Sequence, residues 1–430
     1  MNLRAWIIAS ALLAAAGGAI AEPAAEGDVQ AFRRLRAEAV EAINAGDYAA
    51  AEAKLAEADR RVPNHPGLTV LRAKVDAAQD DMAGAVAMMD RYAGFGLTID
   101  VAADEVLQRV SIENEFAPVG RRLMANDAPI GKLEIVGQIE GAYLAEGVVW
   151  DARRKRWLIS GVHGRTIVAV DRGDRRLSRY LAADASVDSV MGMTLDAEAG
   201  VLWAATSGMP QAKDLPADHR GRGGVLKIDL RSGRVLQRYD APPAADRAFG
   251  DIVRGPDGTI YVADAVVGEI WRLAPGGSAL ELLAPAGRLG SPQGMAVTPD
   301  GRRMIVADYS SGLRVVDLAT GAVSALPVPD DASLLGVDGL IRHGDALIAV
   351  QNGVTPQRVV RLELDPDFTR VTRWRAIAAN LPELAEPTNG VVVDGELVLI
   401  ARSQWTDFKL DGGLRVDPPG PAILARLKLD

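Results

Sequence analysis

Six positions along this chain recur in register, and most of them carry side chains suited to holding a hard cation or moving a proton. Glu146, Met191, Gly250, Gln293, Asp338 and Asn389 each open the same phrase, in which a glycine and then a short apolar run follow. In the third copy Asp251 takes the place of the glycine. Glu146, Gln293, Asp338 and Asn389 offer side-chain oxygen, and two of these four are charged. Ca²⁺ takes roughly six to eight oxygens at about 2.3–2.6 Å from carboxylates, amides and water, a demand this set meets in part. Without a cation, two carboxylates facing one narrow space repel, and one gains a raised pKa. The competing reading is that the same groups merely hydrogen-bond water and neighbouring backbone.

The elements that must position these residues are short strands. After each phrase comes a turn, such as Pro256-Asp257-Gly258 or Pro299-Asp300-Gly301, and then a second apolar run ending Tyr261-Val262-Ala263-Asp264 or Ile305-Val306-Ala307-Asp308. A period of about 45 residues built from short strands is the sign of a β-propeller, and six copies predict six blades. The innermost strand of each blade then starts at one mouth of the central channel, and the second strand returns to that mouth. Loops leaving the second strands ring the opening, which places His163, Asp308, Asn352 and Gln404 there. His163 is a candidate general base from the rim, while Asp251, Asp308, Asn352 and Gln404 are candidates for substrate contacts. A turn-capping role competes for Asp308, as for Asp264, because each ends a Val-Ala-Asp strand. The long segment Ser207 to Gly224 in blade two is a candidate lid. The sixth copy lacks one strand of four, and Leu133 to Ile139 is predicted to supply it, pairing the two chain ends and closing the ring.

The front of the chain follows a different period. From Asp28 to about Asn126, alanine, leucine, arginine and glutamate dominate, with apolar residues at helical spacing. Gly46-Asp47-Tyr48 followed by Ala51, Leu55, Ala58 and Pro63 resembles a tetratricopeptide repeat, and a period of 34 maps Tyr48 to Met82 and Ala51 to Ala85. Two such repeats are fewer than an array needs to stand alone, so this region is expected to pack against the propeller or a second copy. It is also the candidate docking site for a protein partner. The expected division is a signal peptide over 1–21, a helical domain over 28–126 and the propeller over 132–430. Arg4, the apolar stretch Ala5 to Ile20 and Ala19-Ile20-Ala21 fit a secretory signal with its cleavage site, so the mature protein is expected in the periplasm or secreted, with no membrane span left. No cysteine occurs, which excludes disulfides and a lipoprotein anchor. The net charge of −9 argues against a nucleic-acid partner.

Glu146-Gly147-Val148-Val149-Trp150, Gln293-Gly294-Met295 with Pro299-Asp300-Gly301, and Asp338-Gly339-Leu340 resemble the senescence-marker/gluconolactonase/regucalcin family over most of Ala142 to Asp430. The resemblance implies a six-bladed propeller that opens lactones with one divalent metal in the channel. It implies metal ligands at Glu146, Gln293 and Asp338, to which Asn389 is a neighbouring oxygen. Three departures stand out. Gln293 replaces an asparagine, Gly250 stands where the family has a substrate-contacting asparagine, and Val148 replaces the proline of the first motif.

Two function classes follow. One is an exported, metal-dependent hydrolase of the lactonase type acting on a lactone or related ester, with Asp338 or Glu146 moving the proton and Ca²⁺ the first choice of metal before Zn²⁺ or Mn²⁺. The other is a non-catalytic scaffold that binds a protein or small ligand through the helical repeats or the propeller face. A quinone-holding redox propeller fits less well, since such proteins generally have more blades and repeated tryptophan docking motifs. There is no G-x-S-x-G elbow, no cysteine nucleophile and no histidine pair at zinc spacing.

Overall fold

A computed structural model of the chain describes residues 27–429 apart from 174, 182, 183, 185 and 243–245. The expected signal peptide lies outside the described residues. Six helices come first: α1 (Asp28–Asn44), α2 (Tyr48–Arg61), α3 (Pro66–Ala78), α4 (Met82–Gly94), α5 (Glu105–Ser111) and α6 (Ala117–Asn126). Both α2 and α4 are started by an aspartate whose carboxylate accepts a backbone N–H of the first turn, Asp47 from Ala50 and Asp81 from Gly84. The two caps stand 34 residues apart, so the period seen in the sequence is a period of helix starts. Among the described residues no helix is long and apolar enough to cross a membrane.

The rest forms six antiparallel four-stranded sheets. Each of blades one to five is four consecutive strands, as in blade three with Phe249–Arg254, Ile260–Asp264, Glu269–Leu273 and Glu281–Ala284. Their hairpin turns follow from local chemistry. The Asp257 carboxylate accepts the Thr259 N–H and hydroxyl, and Gly258 takes a φ of 89°, open to a residue without Cβ. Blade six closes the ring as expected. Its outermost strand, Glu134–Ile139, pairs with Ala422–Lys428 from the other end of the chain. Arg426 ties the closure by bonding Glu134 at 2.7 Å and Glu396 at 3.3 Å. Apolar side chains fill the spaces between neighbouring blades. Val149 and Leu158 of blade one, for example, pack with Leu202, Ala204 and Leu226 of blade two.

The helical region packs on the propeller. Leu335 joins Phe32, Leu35 and Leu55 in one apolar cluster, and Val354 packs against the cluster of Met89, Phe95 and Leu107. Asn64 donates to Pro329 O and Ala332 O, and Thr98 N–H donates to Thr355 O. The centre of the contact is Arg358, 1% exposed, which donates to Phe95 O at 2.8 Å and Gly96 O at 3.1 Å. Arg358 begins the third strand of blade five (Arg358–Leu364), and the other propeller groups lie on the loops that enter the inner strand and leave the second strand of that blade. The helices therefore sit on the face of the propeller that carries the channel mouth.

Candidate functional site

The repeated phrase is a repeated β-bulge. The pairing of the inner strand with its neighbour slips between Ala145 and Val148, Val190 and Met193, Phe249 and Ile252, Pro292 and Met295, and Val337 and Gly339. A bulge re-aims side chains at the end of a strand, here at the channel mouth. The glycine that follows exists because the next blade leaves no room. A Cβ on Gly339 would stand 2.5 Å from Thr388 O, and one on Gly294 would run into the Leu340 N–H. Blade three breaks the rule in a complementary way. Gly250 leaves its place empty, and Asp251 fills the space beside Gly192, where a Cβ would lie 2.7 Å from the Asp251 carboxylate.

Asp251 spans the channel. Its carboxylate accepts Asn389 Nδ2 from the facing blade six at 3.0 Å and Met295 N–H at 3.1 Å. Around it gather Glu146, Asp338 and Glu386, each electrostatically sensed by at least one other member. Every one of the four is supported by an N–H donor. Trp405 Nε1 donates to Glu146 Oε2 at 2.7 Å, Asn352 Nδ2 to Asp338 Oδ2 at 2.6 Å, and Thr406 N–H to Glu386 Oε2 at 2.7 Å. Tyr309 in turn donates its hydroxyl to Asn352 Oδ1 at 3.0 Å, which fixes which end of the amide faces Asp338.

Among the described residues no arginine or lysine pairs with any of these carboxyls. Burial accordingly raises them all. Asp251 and Asp338 are pushed up to about 7. Glu386 also reaches about 7 through burial, against the pull of its Thr406 bonds. Glu146 is raised well above the usual carboxylate range by burial and then by the charge of Asp338. Three oxygens of the predicted ligand set have no hydrogen-bond partner among the described residues: Glu146 Oε1, Asp338 Oδ1 and Gln293 Oε1. None of them is sealed from water-sized space. Oxygen-only donors, uncompensated negative charge and open valences fit a hard cation. Among the described residues no three Asp, Glu, Cys or His side chains are placed to hold a metal ion, so a cation here would also need the amide of Gln293.

The other predicted residues are placed elsewhere. His163 Nδ1 lies 2.6 Å from Gln211 O and its ring packs on Phe408, so it ties the blade-two segment to blade one. Asp308 accepts the Gly290 and Ser310 N–H groups and the Ser310 hydroxyl, as a cap does. Gln404 spends its whole amide on backbone, accepting Tyr143 and Leu144 N–H and donating to Gly141 O and Gly420 O. Asn389 presents its oxygen to Gly390 N–H and its amino group to Asp251. Met191 packs into an apolar cluster with Leu144 and Phe408. The candidate lid is pinned to blade one, with Lys213 N–H on His163 O and Arg165 Nη1 on Asp214 O, and it meets the blade-six excursion through Gln211 and Lys409. Sequence reasoning missed Glu386, although it precedes Asn389-Gly390 by only three residues, and left Trp405 as a loop residue.

No protein-family model matches the chain, and no curated protein does. Solved structures do. A gluconolactonase from Xanthomonas campestris is 17% identical with a TM-score of 0.47, over 70% of this chain and 92% of its own. A calcium-binding regucalcin from Agrobacterium tumefaciens is 14% identical with a TM-score of 0.48, over 68% and 93%. The PQQ-bound aldose sugar dehydrogenase of Streptomyces coelicolor is 15% identical with a TM-score of 0.47, over 70% and 99%. At these identities and scores none of them assigns a chemistry to this chain. The chain is a six-bladed β-propeller preceded by a helical region, with gluconolactonase and regucalcin structures among its low-identity neighbours.

Proposed function

We propose that this protein is a metal-dependent hydrolase of the lactonase type, exported to the periplasm or beyond, with its site at the channel mouth. One observation carries the reading. Half-buried carboxyls share a space with no basic partner among the described residues, and Glu146, Asp338 and Gln293 each keep an oxygen without a hydrogen-bond partner there. These three residues would hold one divalent cation, Ca²⁺ by the hardness of the donors. When bound, the cation supplies Lewis-acid polarisation of the lactone carbonyl.

The chain's own groups do the rest. Asn352 fixes the Asp338 carboxylate through Oδ2, so Oδ1, with two lone pairs, would face the cation with one and take the proton of the attacking water with the other. As the acyl C–O bond breaks, the same proton passes to the departing ring oxygen, giving a hydroxy acid from lactone and water. Trp405 holds Glu146 and keeps one of its oxygens turned away from the channel. Asp251 and Asn389 cross the channel and bound the depth to which a substrate enters.

The test is metal content followed by turnover. Elemental mass spectrometry on protein purified without chelator or affinity-tag metals is expected to find about one equivalent of metal, lost in Glu146→Gln and Asp338→Asn. A lactone panel followed by acid release should then show hydrolysis by wild type and none by either variant. Absence of metal after reconstitution with Ca²⁺, Zn²⁺ and Mn²⁺ would sink the mechanism.

A further inference from the structure

The blade-six excursion runs between the strands Glu396–Arg402 and Ala422–Lys428. Its 3₁₀ turn, Trp405–Asp407, places two N–H donors on two different carboxylates. Trp405 Nε1 meets Glu146 on the inner strand of blade one, and Thr406 N–H meets Glu386 on the crossing from blade five to blade six. The turn is itself anchored. Gln404 is fully buried with a φ of 85°, and its amide makes four hydrogen bonds to the backbone of blade one's entry and of the excursion's far end. Such a left-handed conformation on a residue with a Cβ persists only where the surroundings over-determine it. Asp407 adds an ion pair to Arg402 at 2.7 Å. The indole body packs beside Phe408, Met191 and Leu144. The ring is thus held from behind while its single polar atom points at Glu146.

We infer that Trp405 is a positioning residue that fixes the Glu146 carboxylate by Oε2 and presents Oε1 alone to a cation. An indole N–H is a donor only, so it selects the ionised carboxylate and cannot compete for the cation. A charge-assisted bond of this length also holds one rotamer of a side chain that would otherwise have three torsions to explore. Partners of this kind behind a ligating group are worth about 10–100-fold in metal affinity. The inference rests on the reading that Glu146 is a ligand, and it adds a residue that neither the repeat nor the family resemblance marks.

The experiment is Ca²⁺ titration of the full-length mature protein and its Trp405→Phe variant, read by calorimetry and by the indole N–H resonances of ¹⁵N-tryptophan-labelled protein. Phenylalanine keeps the ring packing and removes only the donor. Binding to the variant is expected to be about tenfold weaker or more, with unchanged stoichiometry. In wild type, the one indole resonance missing from the variant should move on Ca²⁺ addition, and should also be displaced in Glu146→Gln. That second readout holds even where Trp405→Phe folds poorly. Equal affinity in the variant and an indole resonance indifferent to Ca²⁺ would overturn the role of Trp405 while leaving the metal site standing. No Ca²⁺ binding by wild type would instead overturn the metal reading, and this inference with it.

Discussion

Among the described residues one place buries a basic group and another half-buries a set of carboxyls, each without an opposite charge beside it, and the two are treated differently. At the helical interface Arg358 is 1% exposed, yet its guanidinium reaches Gln351 Oε1, Phe95 O, Gly96 O and Ser333 O and stacks on Trp374. At the channel mouth Glu146 and Asp338 each have one donor and one open oxygen. A buried ion that serves the fold has its hydrogen-bonding capacity filled, because every unfilled valence costs free energy. A half-buried carboxyl with an open valence has room for a group that is not part of the chain, a water or a cation. Ordinary structural acids here follow the first rule with cations, as Asp264 does with Arg247 and Asp188 with Arg238.

The sharpest way to break this comparison is to delete one charge from each place. Arg358→Met strands three acceptors, Gln351 Oε1, Phe95 O and Gly96 O, and should destabilise the protein by roughly 3 kcal/mol, read by chemical denaturation. In cation-free protein Asp338→Asn should be neutral or stabilising at pH 8, because it removes a charge whose burial is unfavourable. Destabilisation of both variants to the same degree would erase the distinction.

The next effect is in pH. Asp251, Asp338 and Glu386 sit near 7 when folded, whereas unfolded carboxyls titrate near 4. The folded state therefore binds protons more tightly in that window. The contribution of these groups is fully present below about pH 4 and is lost as pH rises toward 7, at roughly 1 kcal/mol per pH unit for each group. The stability difference between wild type and Asp338→Asn, followed by denaturant titration without metal, should grow from about pH 4 to 7 and then level. Saturating Ca²⁺ should reverse its sign, since the cation binds the ionised form. The smallest effect concerns the bond across the channel. Asn389→Ala removes one donor from Asp251 and is expected to cost about 1 kcal/mol, visible as a shift in denaturation midpoint.

Much of the architecture was legible because it is periodic. A bulge that recurs in the inner strands of blades one to five requires the same phrase each time, so Glu146, Gln293 and Asp338 could be aligned from the sequence alone. The 34-residue step was equally plain, since Asp47 and Asp81 start equivalent helices. Loops have no period. Gln404, Asn352 and Asp308 look alike in sequence, as polar residues leaving second strands. Only the structure shows that Gln404 is a backbone clamp, Asp308 a cap and Asn352 the partner of Asp338. Glu386 escaped notice because its neighbours in space, Asp338 and Thr406, are far away in sequence.

By itself the sequence determined the two periods and the six-fold repeat, because these depend on local turn chemistry and on apolar alternation. The tertiary structure alone decided which oxygens remain unpartnered, which face of the propeller the helices cover, and which side chain crosses the channel. Those outcomes depend on where hydrogen bonds are spent between segments more than a hundred residues apart, as Trp405 does with Glu146 and Asn389 with Asp251.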